Sequence, residues 1–422
     1  MRVLFLSPAG ALGGAERCLL DLAASLRANS GSRDVALGVI AGRDGPLIEE
    51  ARRVGMQVIR LPLGERLAAV GDSALISEGA RSILAFGRRG VHAALDVAAY
   101  VRRLSSAIRE FSPSVVHSNG IKMHLLAAAA FVDAPLLWHI RDFIGERPLV
   151  SRALRACAWR ARRAIAISNA VARDANRVLP HLPISVVHDA IDTDVFSPMG
   201  AVANLDELAG APAAPPGTVR VGLVATYARW KGQDVFLRAA RHVQAARSRA
   251  GIRFYVIGGP IYDTAASQYG QEELAGMARE LDVERSVRFI PFQSRIEETY
   301  RALDIVVHAS TRPEPFGRTI AEAMASGKPL IASRDSGAAE LFSEGADALS
   351  VRSGSPEDLA AAVLVLAEDR ARRERLGAAA HAAAVQHFSR GRLASQVLQV
   401  YRDAGAVGFK RGGPNADRPD PG

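Results

Sequence analysis

The chain has 422 residues, 49% of them hydrophobic, and carries 53 Lys plus Arg against 44 Asp plus Glu for a net charge of +9. That length is enough for two domains with separate cores. Two cysteines, Cys18 and Cys157, show neither disulfide nor zinc spacing, and no uninterrupted apolar run of about 18 residues is available for a membrane span, so a cytoplasmic protein is expected.

In chain order, Arg2 to Ser7 reads as a strand and not a signal peptide, because its apolar run is short and enters a glycine-rich turn, Gly10 to Arg17, ahead of a helix from Cys18 to Ala28. The turn lacks the three spaced glycines of the dinucleotide fingerprint. Ser114 to Gly120 and Leu136 to Asp142 each end an apolar strand in polar residues. Open α/β sheets place ligand contacts there, which marks His117, Asn119, Arg141 and Asp142 as acceptor-side candidates and leaves His139 as a structural histidine.

Six arginines, Arg147, Arg152, Arg155, Arg160, Arg162 and Arg163, alternate with Leu149, Val150, Leu154 and Trp159. Residues 1 to 200 hold 25 basic minus 18 acidic groups (+7), against 28 minus 26 (+2) for the rest. Such a stretch suits an anionic membrane surface or a lipid-linked diphosphate; a solvated arginine-rich helix is the alternative in a chain with 49 Arg and 4 Lys. Nucleic acid is not expected as a partner, since no aromatic-interleaved basic module is present. Ala164 to Asn169 and Ser185 to Pro198 stand at the end of the first half. Asp192-Thr-Asp194 has the look of a metal-binding pair but lacks a third ligand, so neither metal nor cofactor is expected.

Residues 200 to 217, ending in Ala-Pro-Ala-Ala-Pro-Pro-Gly, read as a linker. Strand and helix then alternate again: Val219 to Ala225, a turn holding Arg229 and Lys231 ahead of a helix to Ala246, Arg253 to Gly259, the helix Gln271 to Leu281, Val287 to Phe292, and Leu303 to Ser310. Glu314-Pro-Phe-Gly-Arg-Thr-Ile-Ala-Glu322 follows, opening a helix that Gly327 ends before the strand Pro329 to Ser333. A helix starting near Gly317 presents free N–H groups to the preceding loop, where they favour an anionic diphosphate. Glu314 stands on that loop and Glu322 about a turn and a half into the helix. Phe388 to Tyr401 forms a last helix, and residues 406 to 422 read as a disordered tail.

The two glutamates around Phe316-Gly317 resemble the motif of the family-4 glycosyltransferases of the GT-B fold, and the resemblance runs over almost the whole chain. It implies an α/β architecture of two Rossmann-like domains facing a cleft, with the C-terminal helix crossing back to the first domain. The expected divisions are 1–199 (acceptor-binding domain), 200–217 (linker), 218–387 (nucleotide-sugar domain), 388–405 (crossover helix) and 406–422 (tail). By the same resemblance Glu314 contacts the transferred sugar, Glu322 the nucleotide ribose and Lys231 the diphosphate. Gly13 and Gly14 form the glycine loop over the sugar-phosphate, Phe316, Gly317, Arg318 and Thr319 the helix-start part of the donor site, and Pro291 a backbone contact to the base.

The sequence departs from the family at three places. Arg141 stands where a histidine is usual, Asp189-Ala190 where Asn-Gly is common, and Thr226 or Ala225 where an arginine precedes the lysine, with Arg229 as the nearest replacement. An arginine cannot act as a base, though it can hold a phosphate or an anionic acceptor.

The expected function is that of a retaining, metal-independent glycosyltransferase of hexosyltransferase type. It would move a sugar from a UDP- or GDP-sugar to a glycan or lipid-linked acceptor in cell-envelope or exopolysaccharide synthesis, on the inner face of the membrane. The alternatives are a catalytically silent protein of the same fold that binds nucleotide or glycan, and a sugar-nucleotide epimerase, which would need further acids in the first domain.

Overall fold

The computed structural model describes the chain except for residues 30–34, 66, 68–82, 247–250, 261–266, 336 and 407–422, and gives backbone only for 83–93. The tail reading therefore lies outside the described residues, apart from Ala406.

Thirteen short apolar runs form two all-parallel sheets among the described residues. In the first, β1 (Arg2–Ser7), β2 (Ala36–Ala41), β3 (Gln57–Arg60), β4 (Val115–Asn119), β5 (Leu136–Ile140), β6 (Ala161–Ala166) and β7 (Ile184–Val186) lie in the order β3-β2-β1-β4-β5-β6-β7. In the second, β8 (Val219–Val224), β9 (Ile252–Ile257), β10 (Val287–Ile290), β11 (Ile305–His308), β12 (Leu330–Ser333) and β13 (Leu349–Val351) lie in the order β10-β9-β8-β11-β12-β13. Helices cover both faces, which is why β4, β5, β11 and β12 are buried at every position rather than at alternate ones.

Each sheet reverses its strand order once, between β1 and β4 and between β8 and β11. At such a point the two loops leaving the strand ends diverge and open a crevice. Gly13 and the helix start at Gly14 follow β1, and Asn119 ends β4; the loops after β8 and β11 carry Lys231 and Glu314. Chain topology thus selects both candidate regions before any side chain is considered.

The helix Arg390–Asp403 leaves the second half and packs on the first. Leu393, Ala394, Val397, Val400 and Tyr401 share a core with Val3, Phe5, Leu19, Leu22 and Val39. Its start is pinned by the Ser25 hydroxyl, which accepts from Ala394 N at 2.9 Å and donates to the Arg390 carbonyl. The expected crossover is present, beginning at Arg390 after the long helix Arg370–Phe388.

The stretch read as a linker is more ordered than its composition suggests. It contains a helical turn, Leu205–Leu208, and the buried Asp206 accepts from Arg253 (2.6 Å), Tyr255 Oη (2.7 Å) and Ala214 N (2.8 Å). The first helix also starts earlier than expected, at Gly14 rather than Cys18, so the glycine loop is the helix start itself. Among the described residues no helix is long and apolar enough to cross a membrane.

Candidate functional site

In the second half, Gly232 lets the two loops at the switch point meet. It adopts φ +78°, and a Cβ there would lie 2.0 Å from the Ala309 carbonyl oxygen. Thr311 N donates to Trp230 O at 2.7 Å across the same contact. This closeness sets Lys231 Nζ 2.6 Å from Glu314 Oε2. The carboxylate also accepts from Ser310 Oγ at 3.0 Å and lies 3.5 Å from His308 Nε2. Burial alone would raise the Glu314 carboxyl, but the Lys231 charge and His308 outweigh it and hold the group well below the ordinary carboxylate range. Glu314 is thus ionised, and its position is fixed by three side chains.

The helix Arg318–Ala325 begins at Gly317, itself at φ +90°. Its first-turn N–H groups and dipole face the loop that holds Glu314. Glu322 is buried within this helix, with Oε1 accepting from Arg318 Nε at 2.8 Å and Oε2 from Tyr300 Oη at 3.1 Å. A carboxylate has roughly four lone-pair directions, so two remain for further donors. Burial pushes the Glu322 carboxyl up, and the Arg318 charge opposes this.

Other expected donor residues are placed differently. Arg229 pairs with Glu273 at 2.9 Å and stacks on Tyr269, 4.4 Å from the ring centre, so its guanidinium is directed to the helix Gln271–Glu280. Phe316 is buried against His188 and Phe388, both about 6.0 Å away between ring centres, and acts in packing. Arg318 turns its side chain to Asp21 of the first half at 2.6 Å. Thr319 contributes its carbonyl to Tyr300 Oη at 3.5 Å, and Pro291, exposed after β10, receives Gln293 Nε2 on its carbonyl at 2.9 Å.

On the first-half side, Asn119, at the end of β4, links the first helix to the loop after β5, donating to Ala15 O at 3.4 Å and accepting from Arg141 Nε at 2.6 Å. Arg141 Nη1 lies 2.8 Å from both oxygens of Asp189. Its charge is therefore met by a protein carboxylate, which weakens the reading of Arg141 as a holder of an anionic acceptor. His117 is buried with both ring nitrogens engaged, by Tyr401 Oη at 2.7 Å and His139 Nδ1 at 2.9 Å. Burial and the nearby Arg141 charge hold both histidines well below their ordinary pKa. His117 thus joins His139 as a neutral core histidine, while Asp142 is exposed. Glu16, next to Gly13 and Gly14, is pushed up by burial against the N–H groups of its own turn and the Arg141 charge.

The partners of three acids had no sequence signal. Asp21 joins the halves through Arg318 and Arg390. Asp192 accepts from Asp194 N (3.1 Å) and Val195 N (3.2 Å) and pairs with Arg390, so its carboxylate serves as a turn cap and ion-pair partner. Glu340 reaches across to the start of the helix Asn169–Val178, accepting from Asn169 N and Ala170 N at 2.7 Å each and from Asn169 Nδ2 at 2.9 Å. Beside this contact is a hollow of about 630 Å³ walled by the first half, with Glu146 and Asp174 as well as Arg173 and Arg177 on its lining and Pro313 of the second half at its edge.

Two family models match the chain: Glycosyltransferase Family 4 over residues 12–195 and Glycosyl transferases group 1 over residues 207–383. Among curated relatives, a D-inositol 3-phosphate glycosyltransferase of Nocardia farcinica is 31% identical over 307 residues, 70% of this chain and 65% of that protein. One of Corynebacterium aurimucosum is 33% identical over 229 residues, 53% of this chain and 52% of that protein. The matches thus span between about half and two thirds of the length of these relatives. Among solved structures, Anabaena HepE in complex with UDP superposes with a TM-score of 0.74 at 23% identity, covering 95% of this chain and 100% of that one. The sucrose-phosphate synthase of Thermosynechococcus elongatus gives 0.73 at 18%, covering 96% and 99%. The two sheets, the crossover helix and the two adjoining matches together show that the chain belongs to the group 1 glycosyltransferases, with the GT-B fold.

Proposed function

We propose that this protein transfers a sugar from a nucleoside diphosphate sugar to a hydroxyl of a glycan or lipid-linked acceptor, with retention at the anomeric carbon and without a metal. The observation that carries this reading is the Lys231–Glu314 pair at the switch point of the second sheet, one helical segment from Glu322. A diphosphate entering there meets an ammonium and the N–H groups of the helix start, a fixed electrostatic site of the kind that lowers the cost of a departing charge. As Lys231 turns to the phosphate, the Glu314 carboxylate is released to accept from hydroxyls of the sugar. Glu322, with lone pairs to spare, accepts from the ribose.

In the transfer the bond from the anomeric carbon to the leaving phosphate oxygen breaks, and the acceptor oxygen bonds to the same face of that carbon. The acceptor proton passes to the departing phosphate. This route uses no protein nucleophile. Solved structures of HepE contain UDP, UDP with glucose, or UDP-glucose, which supports a uridine donor; GDP sugars are the other candidate. The relatives' names supply a phosphorylated polyol as an acceptor precedent. A role in envelope or exopolysaccharide synthesis, on the inner membrane face, fits the basic first half.

The test is a thermal-shift panel of UDP, GDP and ADP sugars, followed by mass spectrometry of whichever stabilises. Stabilisation with slow release of the free sugar supports the reading. No stabilisation by any of them removes it.

A further inference from the structure

The side chain of Arg318 spans the two halves of the molecule. Its Nε donates to Glu322 Oε1 at 2.8 Å, while its Nη1 donates to Asp21 Oδ2 at 2.6 Å and approaches the Ala190 carbonyl at 3.4 Å. Asp21 lies on the first helix of the opposite half and is buried, and its other oxygen accepts from Arg390 Nε at 2.9 Å. Arg390 opens the crossover helix and also holds Asp192, in the segment that leaves the first half. Ile191 N donates to Phe388 O at 2.8 Å in the same place. One continuous chain of charged hydrogen bonds, Glu322–Arg318–Asp21–Arg390–Asp192, therefore runs from the helix of the donor half to the point where both chain crossings meet.

We infer that Arg318 is a positioning residue: it holds Glu322 charged and oriented for the ribose, and through Asp21 it ties ribose capture to the relative setting of the two halves. The inference rests on the reading that Glu322 takes the ribose. Only an arginine can make both bonds at once, because its planar fork offers donors in two directions, whereas a lysine is a single point charge. Removing Asp21 leaves the Arg318 guanidinium with one carboxylate instead of two, free to draw closer to Glu322 and compete with the ribose hydroxyls for its oxygens. Any rotation of the halves about the two crossings displaces Asp21 relative to Arg318, so the state of Glu322 depends on the angle between the halves.

Titration calorimetry with UDP and GDP on the full chain tests this, using wild type, Asp21→Asn, Asp21→Glu, Arg318→Lys, Arg318→Gln, Glu322→Gln and the double variant Asp21→Asn/Arg318→Gln. Small-angle scattering with and without nucleotide gives a second readout. The expected result is a loss of about tenfold in nucleotide affinity for Asp21→Asn, although it lies in the other half, and a similar loss for Arg318→Lys. The double variant should bind no more weakly than Arg318→Gln, and any nucleotide-induced compaction of wild type should be lost in Asp21→Asn. Asp21→Glu should recover part of the affinity, which a mere folding defect would not show. If Asp21→Asn does not fold, Arg318→Lys carries the decision, since it keeps the charge beside Asp21. Wild-type affinity in Asp21→Asn or Arg318→Lys, with Glu322→Gln weakened, overturns the coupling and leaves the ribose reading standing. Wild-type affinity in Glu322→Gln overturns the ribose reading itself.

Discussion

Arg141 and Asp189, 48 residues apart, meet with the guanidinium Nη1 2.8 Å from each carboxylate oxygen, and both side chains are buried. These are two of the three places where the sequence departs from the family pattern, so the departures compensate one another. An arginine alone at this depth would be an unpaired buried charge, and so would the aspartate.

Replacing one partner by the family's usual residue, as Arg141→His or Asp189→Asn, should therefore cost about 3 to 5 kcal/mol in unfolding free energy. The double variant should cost clearly less than the sum of the two singles. Denaturant unfolding of the four proteins measures this, and strict additivity would show that the pair is not coupled.

Glu322→Ala should weaken binding of the free nucleoside diphosphate, because the ribose hydroxyls lose a charged acceptor that typically contributes about 1.5 to 3 kcal/mol. Calorimetry with the nucleotide alone checks it, and an unchanged affinity assigns the ribose contact elsewhere.

The Lys231–Glu314 pair sets an acid-side dependence of stability. The folded-state pKa of Glu314 is depressed, so its contribution is present above the unfolded carboxylate pKa of about 4.3 and is lost as pH falls toward the folded value. The stability difference between wild type and Glu314→Gln should thus be constant from about pH 8 to pH 5 and shrink below about pH 4. A difference that instead grows on acidification would contradict the ion-pair geometry.

Three arginines of the basic stretch are tied to the protein. Arg155 donates to Val178 O (2.8 Å), Arg160 to Ala130 O (2.8 Å) and Ala128 O (3.1 Å), and Arg163 to Ser185 Oγ (3.3 Å). Arg147, Arg152 and Arg162 are exposed, as are Leu149 and Trp159. Arg160→Gln should lower Tm by several degrees through the loss of charged hydrogen bonds of about 1.5 to 3 kcal/mol. If the protein docks on anionic membrane, changing Arg147, Arg152 and Arg162 to glutamine should reduce vesicle binding by about 1 kcal/mol per residue with little change in Tm. Co-sedimentation at low and high salt decides, since this attraction weakens as the Debye length shortens.

Strands such as Val219–Val224 and Ile305–His308 were legible as short β-branched runs, and the Glu314 to Glu322 segment because loop, helix start and carboxylates lie within nine residues, whereas Ala36–Ala41, Gln57–Arg60 and Leu349–Val351 went unread. Lys231 was singled out only through the family resemblance. What stayed hidden depends on contacts across long stretches of chain. The pairing of Asp21 with Arg318 spans 297 residues and that of Glu340 with the helix start at Asn169 spans 171, and no local pattern marks either. The placement of Arg229 was hidden for a similar reason, since its partner Glu273 lies 44 residues on, and Asp192 showed its spacing to Asp194 but not its link to Arg390.

The most direct test of the account is Glu314→Gln, assayed for nucleotide affinity and for turnover of whichever nucleotide sugar stabilises the wild type. Its proposed work is on the sugar, so nucleotide affinity should stay within about twofold while turnover falls by about a hundredfold or more, the scale of removing one preorganised electrostatic contact. Turnover at the wild-type rate, or a loss of nucleotide affinity matching the loss of turnover, would contradict the assignment of Glu314 and with it the reading of this site.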